Sequence, residues 1–126
     1  MKDFCIIGSG ISGATIANAL SKKYSLDVYD KARGVGGRSS NKKFNKNESF
    51  DHGVQYFSPK SIQFKKFIKD LINKKIVKKW PGKHLFLNTD KKEDKKHIKI
   101  IGKKGNNAIS KYLLKKIDCS FNNEVI

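Results

Sequence analysis

Residues 8–13, GSGISG, follow directly on the apolar run DFCII at 3–7 and open the segment ISGATIANALSKKY at 11–24. The spacing Gly-x-Gly-x-x-Gly carries little meaning alone and a mechanical one in the right setting. This short apolar run reads as a buried strand. The segment after the glycines sets Ile11, Ala14, Thr15 and Leu20 at helical spacing and ends in a basic last turn, which suits the negative end of a helix dipole. LDVYD at 26–30 reads as a second strand. Residues 3–30 therefore spell strand, glycine turn, helix, strand: a βαβ unit, with a right-handed crossover expected. In such a unit Gly8 permits the tight turn, Gly10 lets the backbone approach a ligand, and Gly13 lets helix pack closely on strand.

The start of that helix offers free N–H groups and the positive end of a dipole, a ready site for phosphate. Asp30, at the end of the second strand and about 20 residues beyond the glycines, is placed to accept hydrogen bonds from a ribose diol. A βαβ unit whose glycine turn holds nothing is the alternative. Strand, helix and terminal acid are all in place, so dinucleotide binding is the stronger reading, and the expected fold class is α/β, Rossmann-like with a parallel sheet.

A second glycine-rich stretch, YDKARGVGGRSS at 29–40, decides which dinucleotide. It contains the chain's only arginines, Arg33 and Arg38, in a sequence otherwise crowded with lysine. Glycines there let main chain lie close to a ligand. Arginine brings a planar fork that meets phosphate through two hydrogen bonds, which the point charge of lysine does not match. An ordinary NAD site needs no such second loop.

Composition narrows the rest. In 126 residues there are 28 Lys and Arg against 11 Asp and Glu, a formal charge of +17. Such a surface attracts nucleic acid or acidic partners. Yet the lysines are spread over every kind of segment, and asparagine and isoleucine are abundant with them, the joint bias of AT-rich codons. A dedicated nucleic-acid binder is thus the weaker reading. Cys5 and Cys119 lie far apart; Cys5, inside FCIIG, reads as a buried small hydrophobe. No stretch is long enough to span a membrane, nothing resembles a signal peptide, and a reducing, cytoplasmic compartment is the default expectation.

Further along, residues 41–57 read as short strands about a turn at Asn45–Asn47, leading into GVQYF. SIQFKKFIKDLINKK carries Ile62, Phe64, Phe67, Ile68, Leu71 and Ile72 at amphipathic spacing, with serine placed to cap it. IVKKW, HLFLN and HIKII read as antiparallel strands, with DKKEDKK as a loop between two of them. NNAISKYLLKKI reads as another helix, and FNNEVI as the start of a new strand on which the chain stops. The expected organisation is a first dinucleotide-binding segment at 1–58, part of a mixed α+β substrate domain at 59–104, and a return to the first domain at 105–126, apparently truncated.

GSGISG, DKARGVGGRS and DHGVQYF, taken in this order, resemble the FAD-binding segments of the flavin amine oxidase superfamily, above all its bacterial renalase-like branch of NAD(P)/FAD-dependent oxidoreductases. Trp80 and the run Ile101-Gly102 to Gly105-Asn106-Asn107-Ala108 extend the resemblance, while Val54 stands where the family more often has alanine and Asp30 where it more often has glutamate. The resemblance implies FAD as cofactor. Gly8, Gly10, Ile11, Ser12 and Gly13 would line its pyrophosphate. Asp30, with Lys31 beside it, would hold the adenosine ribose. Arg38, after Gly36 and Gly37, would reach the phosphates or ribityl chain, and Arg33 would flank the adenosine. Gly53, Val54, Gln55 and Tyr56 would pass near the flavin ring, and Val125, in a strand beginning near Glu124, would offer backbone to adenine. Family members run to more than twice this length, so much of the substrate domain has no counterpart here.

No residue stands out as catalytic and no spacing suggests a metal. His52, next to Asp51 and Gly53, reads as structural rather than as a base; His84 and His97 lie in the lysine-rich strand region. Trp80 and Tyr56 read equally as cavity walls or as packing. The leading expectation is an FAD-dependent oxidoreductase, or its N-terminal portion, passing hydride from an amine or reduced nicotinamide-type small molecule to flavin. The alternative is a truncated or split chain, inactive alone, that at most binds FAD and needs a second polypeptide for the missing half.

Overall fold

A computed structural model describes residues 1–82 and 98–126. The stretches HLFLN, expected as a strand, and DKKEDKK, expected as a loop, lie with His84 and His97 outside the described residues. At the centre are β1 (Phe4–Ile7), α1 (Ile11–Leu20) and β2 (Leu26–Asp30), in the order the glycine pattern predicts. The two strands pair in parallel, Phe4 against Leu26 through Ile7 against Tyr29. A third parallel strand, β7 (Cys119–Phe121), joins the far side of β2, giving the order β1-β2-β7. The protein is thus an α/β chain built on a parallel three-stranded sheet.

Between β2 and β7 the chain makes a short 3₁₀ turn (Gly37–Ser39) and an antiparallel hairpin of β3 (Asn41–Lys43) and β4 (Ser49–Asp51). It continues through α2 (Ile62–Asn73), an antiparallel pair of β5 (Val77–Lys79) and β6 (Ile100–Gly102), and α3 (Ala108–Leu113). Ser61 caps α2 as its position predicts, accepting the Phe64 amide at 3.2 Å. Ile68 and Leu71 form the buried stripe of α2, whereas Ile62, in its first turn, stays exposed. The core runs from Leu26 and Val28 through Ala14 and Ala17 to Ile109, Leu113 and Leu114, then to Ile68, Leu71, Val77 and Ile100. Small residues on α1 let it approach the sheet and α3, and the Asn18 side chain fastens the pair by donating to the Leu113 carbonyl at 2.8 Å.

Four expectations are corrected. Cys5 is exposed, as is Ile7 on the same face, because only the opposite face of β1, which carries Ile6, meets the core. An apolar run alone does not reveal whether both faces of its sheet are covered. Helix α1 stops at Leu20, so Lys22 and Lys23 fall in the turn beyond it and its last turn has no basic residue. Helix α3 spans only Ala108–Leu113, not the full run to Ile117. The last strand is Cys119–Phe121, ending at the first residue of FNNEVI instead of beginning there, and Asn122 turns the chain away at a φ of 55°. Val125 accordingly lies outside any strand and is exposed. Among the described residues no helix is long and apolar enough to cross a membrane.

Candidate dinucleotide-binding site

The site is assembled from two turns held against one another. The first leaves β1 at Gly8, whose amide still donates to the Tyr29 carbonyl of β2 at 2.7 Å. Ser9 is fully buried behind it. One oxygen of the Asp30 carboxylate accepts both the Ser9 amide, at 2.7 Å, and the Ser9 hydroxyl. The other accepts the Ala32 amide at 2.9 Å. Asp30 therefore grips the glycine turn from the end of β2, and a ribose diol would have to share these oxygens with Ser9 and Ala32. Burial pushes the Asp30 carboxyl up, but the hydrogen bonds from Ser9 and Ala32 outweigh it and hold the group below its ordinary value.

The sign of the resulting pH dependence follows. A carboxylate with a lowered folded pKa contributes stability that is complete above the ordinary carboxylate range and is lost as pH falls through the folded value. Acid unfolding of the native chain compared with Asp30→Asn should thus converge at low pH and separate above it, with the native chain the more stable. Equal stability at neutral pH would contradict this grip.

Helix α1 begins at the same turn. Gly10 is its N-cap and brings no side chain to the amides, and no acidic residue lies in the first turn. The amides of Ile11, Ser12 and Gly13 have no carbonyl one turn back within the helix, so they are left for an anion. The second turn closes over them. Gly36 donates its amide to the Ser9 carbonyl at 3.2 Å and bridges Gly10 in the manner of parallel strands. Gly36 holds a φ of 133°, and a Cβ there would stand 2.8 Å from Ser40 Cα and 2.9 Å from Asn107 Cβ, so glycine is required on both counts. The buried Ser39 hydroxyl donates back to the Gly36 carbonyl at 2.8 Å and tightens the turn.

Between the turns lies a cavity of about 510 Å³, within the range of small-molecule sites, roughly 300–1,000 Å³. Gly8 and the first turn of α1 line one side, Gly36, Gly37 and Arg38 the other, and Val54 stands at the edge. Sequence reading missed Ile7, Ser39 and Phe57, which also line it. Ser39 and Phe57 ended two of the quoted motifs; Ile7 carried no signal beyond its apolar strand. The remaining predicted residues lie elsewhere. Gly53 sits behind the loop, where a Cβ would fall 2.0 Å from the Arg38 carbonyl oxygen, and Val54 donates its amide to that same oxygen at 2.9 Å. Arg33 is exposed and outside the cavity lining, and Lys31 pairs with Glu124 at 3.5 Å on the surface. Gln55 offers its carbonyl to Asn106, while the Tyr56 ring packs on Trp80, centroids 5.7 Å apart, with the Lys99 ammonium 5.1 Å from its centre. Val125 does not line the cavity; ahead of it, Asn122 and Asn123 donate their amides to the carbonyls of Ala32 and Asp30.

Two residues from α3's approach complete the arrangement. Buried Asn106 accepts the Gly102 amide at 2.9 Å and donates to the carbonyls of Val54 and Gln55 at 2.7 and 3.0 Å. Asn107 donates to the Val35 carbonyl at 3.4 Å. His52 shares a hydrogen bond with Ser40 at 3.0 Å, and among the described residues no carboxylate or other titratable side chain is hydrogen-bonded to it. The donor set therefore fits a dinucleotide: main-chain amides and one arginine where an anion would lie, with no carboxylate among the described lining residues.

The model of the NAD(P)-binding Rossmann-like domain matches residues 6–71, just over half of the chain. Among solved structures, a double mutant of putrescine oxidase redesigned in its cofactor binding is 25% identical with a TM-score of 0.49, and the match covers 73% of this chain. Wild-type putrescine oxidase bound to putrescine is 24% identical with a TM-score of 0.48 over the same share. The match spans about a fifth of those chains, 20% in each.

Proposed function

We propose, since this chain belongs to the NAD(P)-binding Rossmann-like domain family, that its dinucleotide is FAD and that it forms the cofactor-binding portion of an oxidoreductase. One observation carries this reading. The arginine-bearing second glycine loop is bonded directly to the first, Gly36 to Ser9 and Gly10, so that Arg38 and the N-terminus of α1 line the same cavity. A pyrophosphate lying there would receive main-chain amides from one side and a guanidinium from the other. NAD binding through the first turn alone makes no use of the second.

FAD, when bound, supplies the capacity to accept hydride at its ring, and the protein supplies position and electrostatics. In this reading Gly8, Gly10 and the amides of Ile11–Gly13 hold the pyrophosphate, and Arg38 neutralises it. Asp30 orders the turn and stands at the adenosine end with Lys31. The segment Gly53–Tyr56, which resembles the flavin-side segment of flavin amine oxidases, runs toward the ring. An amine or a reduced nicotinamide-type molecule is the substrate class that the renalase-like resemblance supports.

A second reading has its own support. Parallel sheets are ordinarily covered on both faces, yet Cys5 and Ile7 of β1 are exposed, Ile7 to 66%. In this reading a further polypeptide segment covers that face, and the chain by itself at most binds FAD.

The visible spectrum of the purified chain, incubated with FAD and then desalted, tests both. A retained flavin spectrum that disappears in Arg38→Ala is the expected result. Retention undiminished in Arg38→Ala would refute the arginine's role, and no retention by folded native chain would favour the second reading.

A further inference from the structure

A second concentration of charge lies away from the dinucleotide site. A cavity of about 710 Å³ opens at the Val77–Gly102 end of the β5–β6 pair, between the end of α2 and α3. Lys74, Lys75, Lys103, Lys104, Lys111 and Lys115 all line it. Its apolar lining comes from Ile76, Ala108 and the Tyr112 ring. It has no lining residue in common with the dinucleotide cavity.

Lysine excess alone accounts for scattered cations, not for six around one hollow with no carboxylate among its described lining residues. Among the described residues only Lys74 of the six has an acidic partner: Asp70, at 2.6 Å. Lys74 also donates to the Tyr112 hydroxyl at 2.8 Å, which fixes its ammonium at the cavity wall. Like charges gathered this way repel one another, and an anion placed among them removes that repulsion.

The backbone at Lys75 supplies an independent sign. Helix α2 ends in a Schellman turn, with the Ile76 amide donating to Leu71 and the Lys75 amide to Ile72. The residue that turns the chain there must adopt a left-handed conformation, for which glycine is the unstrained choice. Here it is Lys75, at a φ of 59°. Strain of this kind, kept where glycine would remove it, marks a side chain used for something besides folding.

We infer that this lysine-lined cavity is a second binding site, for a small anion carrying a chain of several phosphates, either free polyphosphate or the triphosphate of a nucleotide. Six exposed lysines bordering one open hollow suit a compact ligand of high charge. A nucleic-acid backbone would call for cations strung along a groove. Lysine rather than arginine suits a site that reads charge and not the planar geometry of one phosphate. The site is independent of whether the first cavity takes FAD.

Calorimetric titration of the whole chain at low salt, with inorganic tripolyphosphate, ATP, inorganic phosphate and a single-stranded DNA oligonucleotide, tests this. Tripolyphosphate is expected to bind saturably and at least about tenfold more tightly than phosphate, weakening steeply as salt rises. ATP matching tripolyphosphate would mean that only the phosphate chain is read; tighter ATP binding would add a contact to the nucleoside. The Lys75→Gly variant separates this from a structural role: it should melt no lower than the native chain, because it relieves backbone strain, yet bind tripolyphosphate more weakly. The exposed pair Lys104→Gln with Lys111→Gln should weaken binding by about tenfold or more. Arg38→Ala, altered in the other cavity, should bind as the native chain does. Unchanged binding in the lysine variants, loss of binding in Arg38→Ala, or DNA binding tighter than tripolyphosphate and lost in the lysine variants would each overturn the inference.

Discussion

Gly13→Ala is expected to destabilise the fold strongly, whereas Gly10→Ala should leave its stability intact and remove only the ligand. The two glycines belong to one motif, but their surroundings differ. A Cβ on Gly13 would stand 1.9 Å from the Gly8 carbonyl oxygen and 3.1 Å from its carbon. Both are backbone atoms, and Gly8 is fixed in turn by the hydrogen bond its amide donates to the Tyr29 carbonyl. Helix α1 would have to lift away from β1, opening the packing of Ala14 and Ala17 in the core. Overpacking with a backbone shift of this kind costs about 3 kcal/mol, toward the upper end of single-substitution effects. For a chain of this size that lowers Tm by on the order of 10 °C. At Gly10 the nearest atoms to a Cβ are Gly37 Cα at 3.8 Å and the Gly36 oxygen at 3.9 Å, ordinary contacts. Its methyl group projects beside the helix N-terminus, where a pyrophosphate would need the backbone bare. Thermal unfolding should therefore separate the two variants widely while flavin retention after desalting is lost in both. A Gly13→Ala protein melting with the native chain would contradict the observed contact.

The contrast shows what kind of information the sequence held. The glycine pattern, the alternation of apolar segments and the acid after β2 were legible because each is imposed by local geometry: a turn, a helical period, a strand end. Arg38 was legible because an arginine among glycines is conspicuous in a lysine-rich chain. The exposure of Cys5 was not, since it depends on what covers the far face of β1, which no property of FCII encodes. Asp30 was recognised as an acid in the right place, but its bonds to Ser9 and Ala32 depend on the short reach of an aspartate from that strand end. The end of α3 at Leu113 was hidden too: NNAISKYLLKKI keeps helical spacing past the point where the chain turns toward β7. The lysine cavity was invisible for a different reason. Its six residues come from three separate segments, and one by one they look like the solvated surface that lysine ordinarily forms.

Asn106→Ala should have a comparably large effect at a residue that the sequence marked only as part of a glycine-asparagine run. Its side chain is 1% exposed and makes three hydrogen bonds, one to the Gly102 amide and two to the carbonyls of Val54 and Gln55. It thus joins β6 to the segment that follows Gly53, and Val54 in turn holds the Arg38 carbonyl. Truncation leaves buried main-chain groups without partners, at about 1–3 kcal/mol for each one that water does not reach. A loss of about 3 kcal/mol in a denaturant titration is expected, with weakened flavin retention because the support behind Arg38 is loosened. Asn106→Asp sharpens the test. It keeps the acceptor facing the Gly102 amide but turns the donor into a carboxylate oxygen opposite two carbonyls, inside a buried site. Burying that charge among acceptors is worse than leaving the carbonyls unpaired, so the aspartate variant should be the less stable of the two at neutral pH. It should recover part of the difference in acid, where a protonated carboxyl can again donate. A purely space-filling role for Asn106 predicts the opposite order, with the near-isosteric aspartate the milder change.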